Sequence, residues 1–113
     1  MEDELIEVLM TFGFPVRRQG SLLADETYPE SFFTFWNNDS TDHAHYDNTE
    51  HGTEWDFDVN FYSTDPEQTY RVLADARQRL KERGFIISGK GYDVASDEVT
   101  HIGRGMNVLY LQL

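Results

Sequence analysis

The sequence predicts an α+β protein: a mainly antiparallel sheet of four to five strands with two helices packed on one face. Segment 55–62, WDFDVNFY, alternates apolar and polar residues without exception, which is typical of a strand with one buried face. Helix-start signals follow at once from Asp65. Short polar connections between neighbouring strands favour antiparallel pairing. We therefore expect the element order α-β-β-β-α-β-β.

The first half of the chain predicts one helix and a strand, separated by a connector. Segment 2–12, EDELIEVLMTF, has acidic residues in its first turn and Gly13 as a stop. Segment 14–30 contains two prolines and Gly20, so it predicts a connector with at most one short strand. SFFTFW, 31–36, is β-prone, whereas 37–54 is polar and predicts a long loop or a protruding hairpin. The helix has an apolar stripe of Leu5, Ile6, Val8, Leu9 and Phe12.

The second half predicts a long helix and two further strands. Asp65 can cap the helix, Pro66 suits its first position, and Gln68 stands where a capping box would place it. The helix should run to Arg83. Strands are expected at 85–87 and over MNVLYLQL, 106–113. The inner side of the helix should carry Thr69, Leu73, Ala76 and Leu80.

The composition indicates one domain. A chain of 113 residues can bury roughly two-thirds of its unfolded surface, so it can form a stable core without disulfides. It has no cysteine, which excludes disulfides and thiolate metal sites. No apolar run approaches the ~20 residues of a membrane span, and the acidic start MEDELIE is unlike a signal peptide. We expect a soluble, cytosolic protein.

The charge is strongly acidic and unevenly distributed. The net charge of −12, from 21 acidic and 9 basic residues, should repel nucleic acid and anionic lipid. Five basic residues lie within 71–83, whereas 26–58 contains none. One interpretation is a solvated helix face that complements the helix dipole. The other is a basic face on one copy that meets an acidic face on the next, which would favour rings or filaments. On that second interpretation the contact residues are Asp56, Asp58, Asn60, Arg71, Arg77, Arg79 and Arg83.

A near match to a nucleotide-binding loop occurs in GFIISGKG, residues 84–91. The pattern G-x-x-x-x-G-K is present, but Gly91 stands where a Ser or Thr hydroxyl should follow. A phosphate loop needs a strand, a glycine loop and then a helix N-terminus, whereas here a helix comes first. We therefore predict that Gly84 ends the helix, that Gly89 and Gly91 form a turn, and that no nucleotide cofactor binds here.

The polar loop 42–51 is rich in metal-ligand side chains. Its candidate ligands are His43, His45, Asp47 and His51, with Asp42 and Glu50 beside them. The loop has no apolar residues in sequence that would hold such ligands in place. We favour a solvated polar loop without a native metal.

A second polar cluster, YDVASDEVTH, carries Asp93, Asp97 and His101 and precedes the triplet Gly103-Arg104-Gly105. A hydrolase would pair a carboxylate with His101 as acid and base. The alternative is a structured loop in which Arg104 pairs with a carboxylate. No nucleophile elbow or paired-carboxylate frame supports catalysis, so we predict no catalytic residues.

Four segments of the chain are YPESFFTFWN, YDN, WDFDVNFYSTDP and GFIISGKGYDVASDEVTHIGRG. They resemble a family of small proteins from phages and prophages of Gram-positive bacteria, encoded with head–tail joining and tail genes. The resemblance covers nearly the whole chain and is strongest over 32–104. These motifs carry no chemistry and so indicate no active site.

The coarse order of elements is also similar to tail-terminator, or tail-completion, proteins of long-tailed phages. Those are small α+β domains that form a hexameric ring, cap the tail tube and meet the head connector. The resemblance implies a virion structural protein without enzyme activity. Its partners would be its own copies, the tail tube protein and head connector proteins. It would be found in the host cytoplasm during assembly and in the virion afterwards.

Two other functions stay open from the residues. One is a small metal-dependent or acid–base enzyme that uses either polar cluster. The other is an acidic module that mimics DNA charge and occupies a host protein, although the clustered arginines fit this less well.

Overall fold

The computed structural model describes residues 2–18, 30–42, 53–89, 91–94 and 100–112. These residues form two helices and a six-stranded, mostly antiparallel sheet, which confirms the α+β class. In chain order the elements are α1 (Glu2–Met10), β1 (Val16–Arg18), β2 (Ser31–Asp42), β3 (Thr53–Ser63), α2 (Pro66–Glu82), β4 (Ile86–Ile87), β5 (Tyr92–Val94) and β6 (Ile102–Gln112).

The sheet order is β1-β2-β3-β6-β4, and β5 also pairs with β6. β1 runs parallel to β2, and the other pairs are antiparallel. The predicted order of elements holds with one addition, β5. This strand has only three residues, too few for an alternating pattern to indicate a strand, so its pairing with Gly103–Gly105 of β6 could not be recognised from its own sequence.

Both helices pack on one face of the sheet. The apolar stripes of α1 and α2 form a single buried cluster with that face. Phe57, Val59 and Phe61 are fully buried there, as the alternation of β3 predicted. The contributions of the neighbouring strands are Phe33, Phe35, Met106 and Val108.

The central strands extend beyond the helices. At about 3.3 Å per residue, β2 and β3 reach roughly 36–40 Å, whereas α2 at 1.5 Å per residue covers about 25 Å. A bulge between Asn37 and Asp39 interrupts the ladder, which then continues to the pair of Asp42 with Thr53. Both ends of the polar segment 37–54 are therefore strands of a hairpin.

The start of α2 follows the prediction except at Gln68. Asp65 accepts a hydrogen bond from the Glu67 N–H, and Pro66 opens the helix. The Asp65 N–H, which a capping box would give to Gln68, is donated to the Ser63 hydroxyl instead. Gln68 Oε1 lies 2.6 Å from the hydroxyls of both Ser31 and Ser63, because β2 brings Ser31 beside the helix.

The end of α2 confirms that Gly84 stops the helix. Gly84 has a φ of 94° and donates its N–H to Lys81, as a left-handed helix stop does. Phe85 is buried and β4 follows at Ile86–Ile87, so a helix end leads into a strand. Gly89 and Gly91 also have positive φ values, which suits a turn between β4 and β5.

Candidate functional site

The sheet face opposite to the helices carries a connected group of carboxylates, amides and aromatic rings. Asn107 of β6 donates to both Asp56 (2.6 Å) and Asp58 (3.2 Å) on β3, which makes the two carboxylates neighbours. Trp36 donates its indole N–H to Asp58 at 2.9 Å, and Asn38 donates to Asp56 at 3.1 Å. With Tyr92, described next, these side chains form what we call the acidic face: Trp36, Asn38, Asp56, Asp58, Tyr92 and Asn107.

Tyr92 joins the acidic face from β5, where it pairs with Gly105. Burial raises the pKa of the Tyr92 phenol above its ordinary value of 10.0, and a hydrogen bond to Asp58 and the charges of Asp58 and Asp56 raise it further. The phenol is therefore neutral near pH 7 and acts as a donor. Trp36 and Tyr92 are nevertheless 46% and 45% exposed. The Asp58 carboxylate thus accepts a hydrogen bond from one exposed aromatic residue, Trp36, and raises the pKa of a second, Tyr92.

In the part of the chain that the structure describes, the hydrogen bonds to Asp56 and Asp58 come from neutral donors, and neither carboxylate forms an ion pair. Both side chains are only partly exposed. Two neighbouring negative charges repel each other, and an added cation would relieve this repulsion. The acidic face is therefore electrostatically suited to a basic partner. Asn60 lies on the same face, where its amide oxygen packs against Gly105.

Two glycines of β6 allow this face to pack closely. A Cβ on Gly103 would lie 2.5 Å from Cε1 of Tyr62, and one on Gly105 would overlap the amide oxygen of Asn60. Neither glycine has a positive φ, so the requirement is for space and not for backbone freedom. The triplet that looked like part of a loop is a strand segment, because β3 pairs with it throughout.

The outer surface of α2 and its C-terminal end carry the predicted basic residues. We call this surface the basic ridge: Arg71, Arg77, Arg79, Lys81 and Arg83. Much of it also has contacts within the chain. Arg77 donates to the Gly89 carbonyl at 2.6 Å, and Arg79 donates to Thr11 at 2.8 Å. Arg83 lies 3.8 Å from carboxylate oxygens of both Glu4 and Glu7 of α1.

Arg71 differs from these arginines. Its side chain is 60% exposed, and its nearest carboxylate is that of Glu67, 3.9 Å away on the same helix and 84% exposed. Such an exposed pair at the limit of contact distance contributes little free energy. Of the four predicted interface arginines, Arg77 and Arg79 therefore have hydrogen bonds inside the chain. Arg83 has two longer ion-pair contacts, both to α1. Arg71 has one long, exposed contact within its own helix, so it is the most available of the four for a partner.

The acidic face and the basic ridge lie on opposite sides of the protein. α2 packs on the helix-covered face through Val72, Leu73, Ala76 and Leu80, so its exposed residues point away from the sheet. The acidic face is on the other side of the same sheet. A chain built this way cannot bring both surfaces to a single identical partner across a two-fold axis.

The candidate metal ligands His43, His45, Asp47 and His51 lie outside the described residues. Within the described ranges, no group of three His, Asp or Glu side chains is placed to hold a metal ion.

The second polar cluster divides in the structure. Arg104 donates to Asp93 at 3.0 Å, so the predicted pairing of Arg104 with a carboxylate is confirmed. His101 is buried against the ring of Phe32, with Nδ1 3.1 Å from the Thr100 hydroxyl. Asp97 lies outside the described residues. Asp93 and His101 thus have different partners, which does not favour an acid–base pair.

A shallow recess of about 360 Å³ lies beside the start of β2, lined by Phe14, Pro15, Glu30, Ser31 and Gln68. Its Ser31 hydroxyl contacts Gln68 and Ser63, which are neutral groups and do not activate a nucleophile. Among the described residues that line it, the recess therefore places no activating group beside the Ser31 hydroxyl.

A scan against models of protein families finds no match for this chain, and a search of curated proteins finds none either. In the described part of the chain, neither helix combines the length and apolar character that crossing a membrane requires.

Proposed function

We propose that this protein is a structural component of a phage virion, a tail-terminator or head–tail joining protein that assembles as a ring at the end of the tail tube. The observation that carries the proposal is the placement of opposite charges on opposite sides of one sheet. Surfaces related in this way associate head to tail, and a head-to-tail contact closes into a ring when its rotation allows. The sequence resemblance supports the same function.

The acidic composition suits a ring through which DNA passes. A net charge of −12 repels phosphates, so DNA would slide through without adhering. The β2–β3 hairpin extends past the helices and carries the acidic segment 37–54, which makes it the candidate for the channel wall or for contact with a neighbour. The protein would act without catalysis or a cofactor, in contact with the tail tube protein and head connector proteins. By resemblance, the ring would contain six copies.

Inactivation of the gene in a phage or prophage that carries it tests this function. A stop codon early in the gene should leave DNA-filled heads and separate tails in the lysate, visible by electron microscopy. Expression of the protein from a plasmid should restore joined, infectious particles. A synonymous change at the same codon is the matched control. Joined, infectious particles from the stop-codon mutant would rule out the proposed role.

A further inference from the structure

We infer that the acidic face of one copy receives Arg71 of α2 from a second copy, and that this contact is the one through which the subunits associate head to tail. The inference rests on the proposed ring, since it names the surfaces by which neighbouring subunits meet.

The acidic face has the chemistry of a guanidinium acceptor. Asp56 and Asp58 offer two neighbouring carboxylates whose hydrogen bonds, in the described residues, come from neutral side chains. Trp36 and Tyr92 add two exposed rings to the same surface, and Asp58 accepts a hydrogen bond from Trp36. A planar guanidinium can stack on an aromatic ring and donate to a carboxylate at the same time, which a lysine ammonium does less well.

Arg71 is the arginine of the basic ridge whose side chain is best placed to reach a partner. Its contact with Glu67 is 3.9 Å long and exposed, so little free energy is lost when the side chain moves to a partner. To bind a partner, Arg77 would have to give up its hydrogen bond to a carbonyl, and Arg79 its hydrogen bond to a hydroxyl. Arg83 would have to move away from two carboxylates.

The residue next to Arg71 supplies apolar area to the same surface. Tyr70 is exposed on α2, and the guanidinium of Arg104 lies 4.6 Å from its ring centre. A ring held in this way loses little conformational entropy when a partner covers it. Exposed aromatic and arginine side chains are the residue types that contribute most to protein interfaces.

The placement of the two surfaces decides the kind of assembly. They lie on opposite sides of the sheet, so each subunit can give its α2 to one neighbour and its acidic face to another. The contact is therefore heterologous, and its products are a ring or a filament.

Two variants, each lacking one surface, test the contact. Asp56→Asn with Asp58→Asn removes the charges but retains oxygens that accept hydrogen bonds, so the fold should persist. Arg71→Gln removes the guanidinium. Sedimentation velocity should show concentration-dependent assembly of the wild-type protein, weakened by salt. Each variant alone should associate at least about tenfold more weakly, because truncating one partner of an interfacial charge pair costs affinity.

The mixture of the two variants gives the decisive result. The double variant keeps Arg71 and the Arg71→Gln protein keeps the acidic face, so one intact contact remains between unlike partners. An equimolar mixture should form a species of twice the monomer mass that does not grow further. Asp75→Asn with Glu82→Gln removes two negative charges elsewhere on α2, and Lys81→Gln removes one positive charge there. Both control variants should assemble as the wild-type protein does.

Several outcomes would overturn the contact. They are a monomeric wild-type protein at all concentrations, wild-type assembly by either surface variant, and a mixture of folded variants that stays monomeric. Unfolding midpoints from circular dichroism show whether each variant is folded. If both variants assembled as the wild-type protein does, this contact would be refuted, but the proposal that the protein forms a ring would not. Particle joining without the gene would instead refute the proposed function, so the two failures are distinguishable.

Discussion

Replacing Gly103 with alanine should destabilise the protein, although alanine in place of glycine usually stabilises a strand. The new Cβ would lie 2.5 Å from Cε1 of Tyr62 and 2.7 Å from Cγ2 of Val94. Real Cβ atoms do not approach other atoms so closely, and Tyr62 cannot easily move. Its ring is buried and stacks on Phe32 with centroids 5.2 Å apart.

The magnitude follows from two opposing effects. Forcing an extra methyl into a packed site costs about 1–3 kcal/mol. Alanine recovers about 0.5–1 kcal/mol, because glycine loses more conformational entropy on folding. Since the clash is the larger effect, we expect a net loss of about 1–2 kcal/mol. At about 4 °C per kcal/mol for a chain of this size, the Tm should fall by about 4–8 °C.

Urea denaturation followed by tryptophan fluorescence measures this change at one fixed protein concentration, since assembly would make stability depend on concentration. A double-mutant cycle with Tyr62→Val is the control, because valine ends at its γ carbons and removes the ring that the new methyl would strike. In that background Gly103→Ala should cost less than in the wild-type protein, because only the close contact with Val94 remains, and the coupling should be about 0.5–2 kcal/mol. A Gly103→Ala protein as stable as the wild type would refute the space argument for this glycine.

Three further predictions concern α2 and the acidic face. Arg79→Gln should lower the free energy of unfolding by about 0.5–2 kcal/mol, because it removes the hydrogen bond to Thr11 and the contact of the guanidinium with the Phe12 ring. Arg71→Gln should change it by less than about 0.5 kcal/mol, and equal urea midpoints for the two variants would contradict the division of the basic ridge. Gly84→Ala should lower the free energy of unfolding by about 1–2 kcal/mol, because the alanine backbone would be held at a φ of 94°. Its Cβ would meet only ordinary contacts, so backbone strain is the cause, and an unchanged Tm in thermal unfolding would contradict it. The stability that the raised pKa of Tyr92 provides should be fully present below pH 10.0 and be lost as the pH rises through the raised value. Asp58→Asn should lower the pKa of Tyr92, which tyrosinate absorbance measures with Tyr92→Phe as the reference, and an unaltered titration would show that Asp58 does not act on the phenol.

Local sequence signals were sufficient for most of the fold. The alternation over 55–61, the cap at Asp65 and the stop at Gly84 each depend on residues a few positions apart, so they can be recognised without knowing what the segment packs against. The strand β5 escaped prediction because its three residues are defined by their partners in β6. The capping-box role of Gln68 was wrongly predicted for the same reason, because its side chain accepts a hydrogen bond from Ser31, which lies on another strand.

The acidic face could be predicted only in part. The outward position of Asp56 and Asp58 followed from the period of two in β3. Their donors did not, because Trp36 is 22 residues before Asp58 and Asn107 is 49 residues after it. The registers of β2 and β6 against β3 bring these side chains into one row, and a shift of one residue would turn them to the other face.

The sequence by itself determined that the chain segregates charge, with five of its nine Lys and Arg residues in 71–83 and none in 26–58. Only the tertiary structure decided which of those charges remain available to a partner. α1 contacts Arg83 through two of its carboxylates, and the turn that follows α1 accepts a hydrogen bond from Arg79, whereas Arg71 is left exposed. A linear sequence records charge but not distance, and electrostatic energy depends on both.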